Sequence, residues 1–222
     1  MKYDINFTID LKKNPYPGLY IALEGIDESG KTTQVDHIAE YFENQGKKVV
    51  VTSEPQAEGV IQKIIRDALF SKVYIPSRAY QDLYSADRAE NHLEIVTPAL
   101  KRGDIVLSHR SIWSTPAYGL FDLHSEESKN TLYSVLVSQG NFSLYHQFLC
   151  PDKTFYLRVS AKHAAERLST MEKKKDIYEK EEKLAKIVRN YEYVIKEFPA
   201  ECVAIDGEKS EEEVTKEIIQ NL

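Results

Sequence analysis

Gly25-Ile26-Asp27-Glu28-Ser29-Gly30-Lys31-Thr32, with Thr33 behind it, fits the phosphate-loop pattern G-x-x-x-x-G-K-[ST] at every fixed position. Before it, Leu19-Tyr20-Ile21-Ala22-Leu23 is an apolar run with the length of a buried strand. After it, Val35, Ile38, Ala39 and Phe42 recur at helical spacing, and Gly46 supplies a stop signal. Strand, glycine loop and helix in that order are the context the pattern requires. Gly25 and Gly30 open backbone conformations closed to residues with a Cβ, so successive N–H groups can turn inward on a phosphate. The new helix adds its positive N-terminal end. Lys31 would reach the outer phosphates, and the Thr32 hydroxyl would ligate Mg²⁺. The competing reading is an ordinary Gly-rich strand-to-helix turn with a surface lysine, and the flanking pattern speaks against it.

The rest of the chain extends this strand and helix into a sheet. Lys48–Thr52 reads as a second strand ending at Ser53-Glu54-Pro55, followed by a helix with Val60, Ile61, Ile64, Ile65 and Leu69 on one face. A long helical stretch runs from about Ala79 to Arg102, interrupted or bent near Pro98. Asp104–Leu107, Lys153–Val159 and Cys202–Ile205 are the third, fourth and fifth strands. Helical patterns cover 132–137, 161–168, 179–198 and 211–222. Strands alternating with helices imply a five-stranded parallel sheet covered on both faces, an α/β/α sandwich of the P-loop NTPase type. Ligands of such sheets collect at the carboxyl ends of the strands, which nominates Gly25–Thr33, Ser53–Pro55, Ser108–Arg110, the segment after Val159, and Asp206-Gly207. The chain reads as an α/β nucleotide kinase.

Composition narrows the class further. At 222 residues the chain is large enough for one substantial core, expected over 19–222, with residues 1–18 as an N-terminal arm that is either flexible or a short added strand. A net charge of −6 argues against a general nucleic-acid or membrane-surface binder. Cys150 and Cys202 lack metal-ligand spacing and read as reduced, buried thiols. No run approaches membrane-spanning length, and Met1–Gly18 has no signal-peptide apolar core, so a cytoplasmic address is expected.

Several segments together resemble one family. Leu23-Glu24-Gly25-Ile26-Asp27-Glu28-Ser29-Gly30-Lys31-Thr32-Thr33-Gln34 is similar to the opening of thymidylate kinases, which phosphorylate dTMP to dTDP with ATP. Ser53-Glu54-Pro55 resembles the family's Arg-Glu-Pro, and Leu83–Glu90 its Phe-x-Ala-Asp-Arg segment. Arg110 with Ser114-Thr115-Pro116-Ala117-Tyr118 resembles its Asp-Arg pair and the Ser-Thr-x-Ala-Tyr that follows. Pro151–Leu157 and Ile205-Asp206-Gly207 match its later strands.

The resemblance implies ATP and dTMP as substrates, Mg²⁺ as cofactor and a homodimer. It implies that Gly25, Glu28, Ser29, Gly30, Lys31, Thr32 and Thr33 hold the ATP phosphates. Lys31, Arg110 and Asp27 would be catalytic, with Arg110 gripping the dTMP phosphate and Asp27 meeting the 3′-OH. Arg88 would meet the thymine and Tyr84 stack on it, while Tyr118 lines the sugar; Glu54, Pro55, Ser114 and Thr115 complete the acceptor pocket. For Arg88 a solvated helix residue paired with Asp87 or Glu90 is the alternative, and for Tyr84 a core aromatic.

Four departures stand out. His109 replaces the aspartate of the Asp-Arg pair, and histidine is a poor ligand for a hard cation. Ser53 replaces an arginine, removing a positive charge. Glu28 stands where some members carry a catalytic arginine, and Ile177 where an arginine is common in a mobile lid, expected here at about 169–182. Arg167, Lys173, Lys174 and Lys175 are the candidate substitutes, although a lysine run is also what a solvated loop looks like. These departures leave open a kinase for another deoxynucleotide or deoxynucleoside, or a nucleotide-binding protein with degraded catalysis.

Overall fold

The computed structural model of the protein describes residues 10–122, 142–143, 146–169 and 181–222. Five strands, β1 (Leu19–Glu24), β2 (Val49–Ser53), β3 (Ile105–His109), β6 (Lys153–Arg158) and β7 (Cys202–Asp206), form one parallel sheet in the order β2-β3-β1-β6-β7. β1 lies at its centre, with Leu19 opposite Ile105 on one side and Ile21 opposite Lys153 on the other. Being parallel, all five strands end on the same edge, at Glu24, Ser53, His109, Arg158 and Asp206. Two short strands, β4 (Phe142–Ser143) and β5 (His146–Gln147), pair antiparallel as a separate sheet. Two residues are too few to show a hydrophobic period, so the sequence does not announce them.

The helices are α1 (Lys31–Glu43), α2 (Val60–Leu69), α3 (Ser77–Asn91), α4 (Thr97–Arg102), α5 (Ser114–Asp122), α6 (Ala161–Ser169), α7 (Glu181–Glu197) and α8 (Glu211–Gln220). Side chains alternate across each strand, so the sheet feeds two cores. Ile21, Leu23, Leu107, Phe155 and Leu157 pack with Val35 and Ile38 of α1 and Val214 and Ile218 of α8. On the opposite face Tyr156 packs with Ile65, Tyr80, Ala164, Ile187 and Tyr191. Tyr20 and Val106 meet Val96, Ala99 and Leu100 there.

The long helical stretch is interrupted just before Pro98. Residues His92–Val96 form a π-helical turn in which the Thr97 N–H bonds back to the His92 carbonyl. Pro98 then occupies the first turn of α4, where a missing N–H costs nothing. The helix expected around 132–137 lies outside the described residues, as does 170–180 of the lid segment. Of the N-terminal segment, Lys12 forms a parallel bridge with Leu149, and Cys150 donates its N–H to the Lys12 carbonyl at 2.8 Å. Cys150 and Cys202 are both buried free thiols.

Candidate active site

The glycine loop joins β1 to α1 with φ of 144° at Gly25 and 94° at Gly30. A Cβ on Gly25 would also stand 2.9 Å from the Leu157 carbonyl oxygen, so close approach and backbone angle both require glycine. Glu28 has a φ of 60°, in the left-handed region that side chains avoid. Lys31 is buried, and its Nζ donates to the Ile26 carbonyl at 2.6 Å and to Ser29 Oγ at 3.3 Å. Burial, followed by the nearby charge of Arg110, pushes the Lys31 pKa down to about 7. Behind the loop, Arg167 donates to the Glu28 carbonyl at 2.9 Å and to the Gly207 carbonyl at 3.3 Å.

Arg110 begins just past the end of β3 with a φ of 75° and reaches across to the loop. Its Nη1 donates to the Gly25 carbonyl (2.9 Å), Tyr191 OH (3.1 Å) and Ser114 Oγ (3.3 Å), and its Nη2 donates to Asp27 Oδ1 at 2.7 Å. The guanidinium also lies over the Tyr118 ring, 5.0 Å from its centroid. Burial pushes the Asp27 carboxyl up, but Arg110 and Lys31 outweigh it and hold its pKa below the usual carboxylate value. Beneath this pair sits Glu24, a fully buried carboxylate closing β1.

Arg88 is also fully buried, on the inner face of α3. Its Nε donates to Glu54 Oε2 at 2.7 Å, Nη1 to Thr115 Oγ1 at 2.9 Å and Nη2 to the Ser111 carbonyl at 3.1 Å. The solvated alternative for Arg88 is thereby overturned: its partner is Glu54, and Asp87 instead accepts from Gln62 and the Gln56 N–H. The Glu54–Pro55 peptide bond is cis. Burial raises the Glu54 pKa to about 7 against the pull of Arg88. Its other oxygen, Oε1, is buried without a hydrogen bond, 4.0 Å from His92 Nε2.

These groups face one cavity of roughly 740 Å³. Asp27, Thr32, Glu54, Pro55, Tyr84, Arg88, Arg110, Ser114, Thr115 and Tyr118 all line it. The remaining loop residues Gly25, Glu28, Ser29, Gly30, Lys31 and Thr33 do not line it, and Lys173, Lys174 and Lys175 lie outside the described residues. Tyr84 is partly packed into the core and also borders the cavity. Its ring packs edge-on to Tyr80, at 5.1 Å. Gln81 stands one turn earlier on the same helix face and also lines the cavity. Ser53 turns its hydroxyl onto the Pro55 carbonyl.

The cavity wall carries one feature at odds with a hard cation. His109 stays neutral, its pKa pushed to about 2 by burial and then by Lys31 and Arg110. Among the described residues no cluster of three or more His, Cys, Asp or Glu side chains could hold a metal. The Asp27 carboxylate is already taken by Arg110. Thr32, exposed on the first turn of α1, fits one ligand position of Mg²⁺ if phosphate and water oxygens supply the rest.

Sequence reasoning missed Glu24 and Tyr191. Glu24 accepts from the Ser111 N–H (2.7 Å), Ser111 Oγ (2.8 Å), Ser114 Oγ (2.7 Å) and Tyr191 OH (2.9 Å). A carboxylate closing an otherwise apolar strand was the available signal.

Residues 23–218 match the family profile described as Thymidylate kinase. The chain is 33% identical over 209 residues to a thymidylate kinase of Mesoplasma florum, covering 90% of this chain and 92% of that one. It is 33% identical over 201 residues to one of Thermosipho africanus, covering 90% and 95%. A thymidylate kinase of Bifidobacterium longum subsp. infantis is 36% identical over 162 residues, which span 70% of this chain and 65% of that protein.

Proposed function

Since the chain belongs to the thymidylate kinase family, we propose that it transfers the γ-phosphoryl group of ATP to dTMP, giving ADP and dTDP. The observation that carries this reading is the bonding of Arg110, which lines the cavity, to the glycine loop that carries Lys31. Its guanidinium donates to Asp27 Oδ1 and to the Gly25 carbonyl of that loop. Phosphoryl transfer asks mainly for alignment and charge neutralisation, which this arrangement supplies.

Each residue has a part in that reading. The loop N–H groups, Lys31 and Thr33 hold the ATP phosphates. Arg110 holds the dTMP phosphate in line with the γ-phosphorus, and Asp27 accepts the 3′-OH. Tyr84 packs on the base and Arg88 offers it a donor edge, while Tyr118, Ser114 and Thr115 shape the sugar side. Mg²⁺ arriving with ATP would be held by Thr32 and would neutralise phosphate charge. Of the lid candidates, Arg167 is the one among the described residues, and its contact with the Glu28 carbonyl of the loop supports a part for it beside Lys31 at the phosphates.

The test is ADP release with ATP, Mg²⁺ and a panel of acceptors. Release should require dTMP and exceed that with dUMP, dCMP or thymidine. Faster turnover of thymidine than of dTMP, or no acceptor-dependent release, would refute the reading.

A second consequence concerns protons. In the free protein Lys31 has a pKa of about 7, so at pH 8 it is mostly neutral. Phosphate oxyanions replacing the Ile26 carbonyl would restore its charge, so nucleotide binding at pH 8 should take up about one proton. Uptake should fade below pH 6, where Lys31 is already charged, and vanish in Lys31→Met. Calorimetry in buffers of different ionisation enthalpy measures it.

A cytoplasmic homodimer completes the proposal. Among the described residues no helix is long and apolar enough to cross a membrane. Val60, Val73, Tyr74 and Leu93 hold large apolar side chains in solvent, as surfaces covered by a partner do. Sedimentation equilibrium tests the dimer.

A further inference from the structure

We propose that Glu24 and Tyr191 are a positioning pair that fixes the direction of the Arg110 guanidinium, a role that rests on the reading of Arg110 as the phosphate-holding residue. Neither residue lines the cavity, and both are fully buried behind it. They meet across nearly the whole chain, from the end of β1 to the middle of α7.

The inference follows from counting donors and acceptors. An ionised carboxylate only accepts, and has about four lone-pair positions. In Glu24 the Ser111 N–H and hydroxyl reach Oε1, and the Ser114 and Tyr191 hydroxyls reach Oε2. The Ser114 and Tyr191 hydroxyls also lie 3.0 Å apart, and each has a single proton; the charge-assisted bonds to Glu24 take both protons and leave lone pairs toward Arg110 Nη1, at 3.3 and 3.1 Å. The carboxylate therefore sets the polarity of two hydroxyls, and these with the Gly25 carbonyl leave Nη1 one orientation.

Arg110 needs such a holder. Its backbone is in the left-handed region at φ 75°, so its side chain leaves the main chain in an uncommon direction. A planar fork works only when aimed, and a small misplacement of a positioning group costs much of its effect. With Nη1 and one Nη2 hydrogen committed, Nε–H and the other Nη2 hydrogen remain for an oxyanion. The Tyr191 ring packs independently of its hydroxyl, stacked on Tyr156 with centroids 5.1 Å apart. Tyr191→Phe thus removes the hydrogen bonds and leaves the packing.

The test is a double-mutant cycle on the full chain, with kcat and KM measured for both substrates in the wild type, Tyr191→Phe, Arg110→Lys and the double variant. Arg110→Lys keeps the charge and loses the fork. Tyr191→Phe should lower kcat/KM for dTMP about tenfold, leave KM for ATP within about twofold, and have no further effect in the Arg110→Lys background. Glu24→Gln, which introduces a competing donor, should behave like Tyr191→Phe. Equal fold-losses in both backgrounds, or no loss in the wild type, would overturn the positioning role. If Arg110→Lys itself leaves kcat/KM for dTMP unchanged, the reading of Arg110 fails first and the pair has nothing to position.

Discussion

Lys31→Ala is expected to lower kcat by about 10²–10³-fold, while the nucleotide-free protein melts at the same temperature or higher. The first half follows from the reaction. A cation aimed at developing phosphate charge in a water-poor site contributes about 2.7–4 kcal/mol to the transition state, and nothing else in the loop is positively charged. The second half follows from the resting structure. Lys31 is buried and, among the described residues, bonded only to a carbonyl and a hydroxyl of its own loop. Burial and Arg110 lower its pKa to about 7, so the free protein is hindered, not helped, by its charge. Its folded pKa lies below the unfolded value, so folding is opposed below about pH 7 and relieved as pH rises. Differential scanning calorimetry beside steady-state rates checks both halves. A large drop in melting temperature would assign Lys31 a structural role.

The second large effect lies on the opposite wall. Arg88→Ala should destabilise the fold by about 3–5 kcal/mol near pH 8, because it strands the Glu54 carboxylate. Both members of the pair have side chains only 1% exposed. The size of the loss should depend on pH with a definite sign. The folded pKa of Glu54, about 7, lies above its unfolded value, so its protonated form favours folding at low pH and this contribution is lost as pH rises through about 7. Without Arg88 the carboxyl titrates higher still, so the variant should recover much of its stability at pH 5. Urea unfolding at pH 5 and pH 8 separates the causes. Equal losses would mean that packing, not the stranded charge, carries the effect. Arg88→Ala with Glu54→Gln should then be milder than Arg88→Ala alone at pH 8.

The apolar runs, the helical spacings and the glycine loop made the five strands and their parallel sense legible, because each is a local pattern. The strand order is not local, and nothing in Leu19–Leu23 says that β3 and β6, rather than β2, will be its neighbours. The site divides the same way. The cavity gathers Asp27, Glu54, Arg88 and Arg110 from segments that end strands or follow the family pattern. Tyr191 escaped because it meets Glu24 across a separation of 167 positions, from a helix whose spacing marks it simply as an inward-facing aromatic. The burial of Arg88 was hidden for a related reason: charged neighbours Asp87 and Glu90 offered a nearer partner than Glu54, 34 residues away.

The π-helical turn at His92–Val96 bears on how the gene can vary in length. Such a turn holds one residue more than an α-helix needs over the same rise. Deleting any one of the five would take up that extra residue and let α3 and α4 run on as a single α-helix with the facing of α4 kept. Ala99 and Leu100 would stay in the core they share with Tyr20 and Val106, although Pro98 would then fall inside an uninterrupted helix. A one-residue deletion in the regular turns of α3 would instead turn α4 by about 100° and carry Ala99 and Leu100 out of that core, so length changes in this stretch should be found at the π-helical turn or not at all.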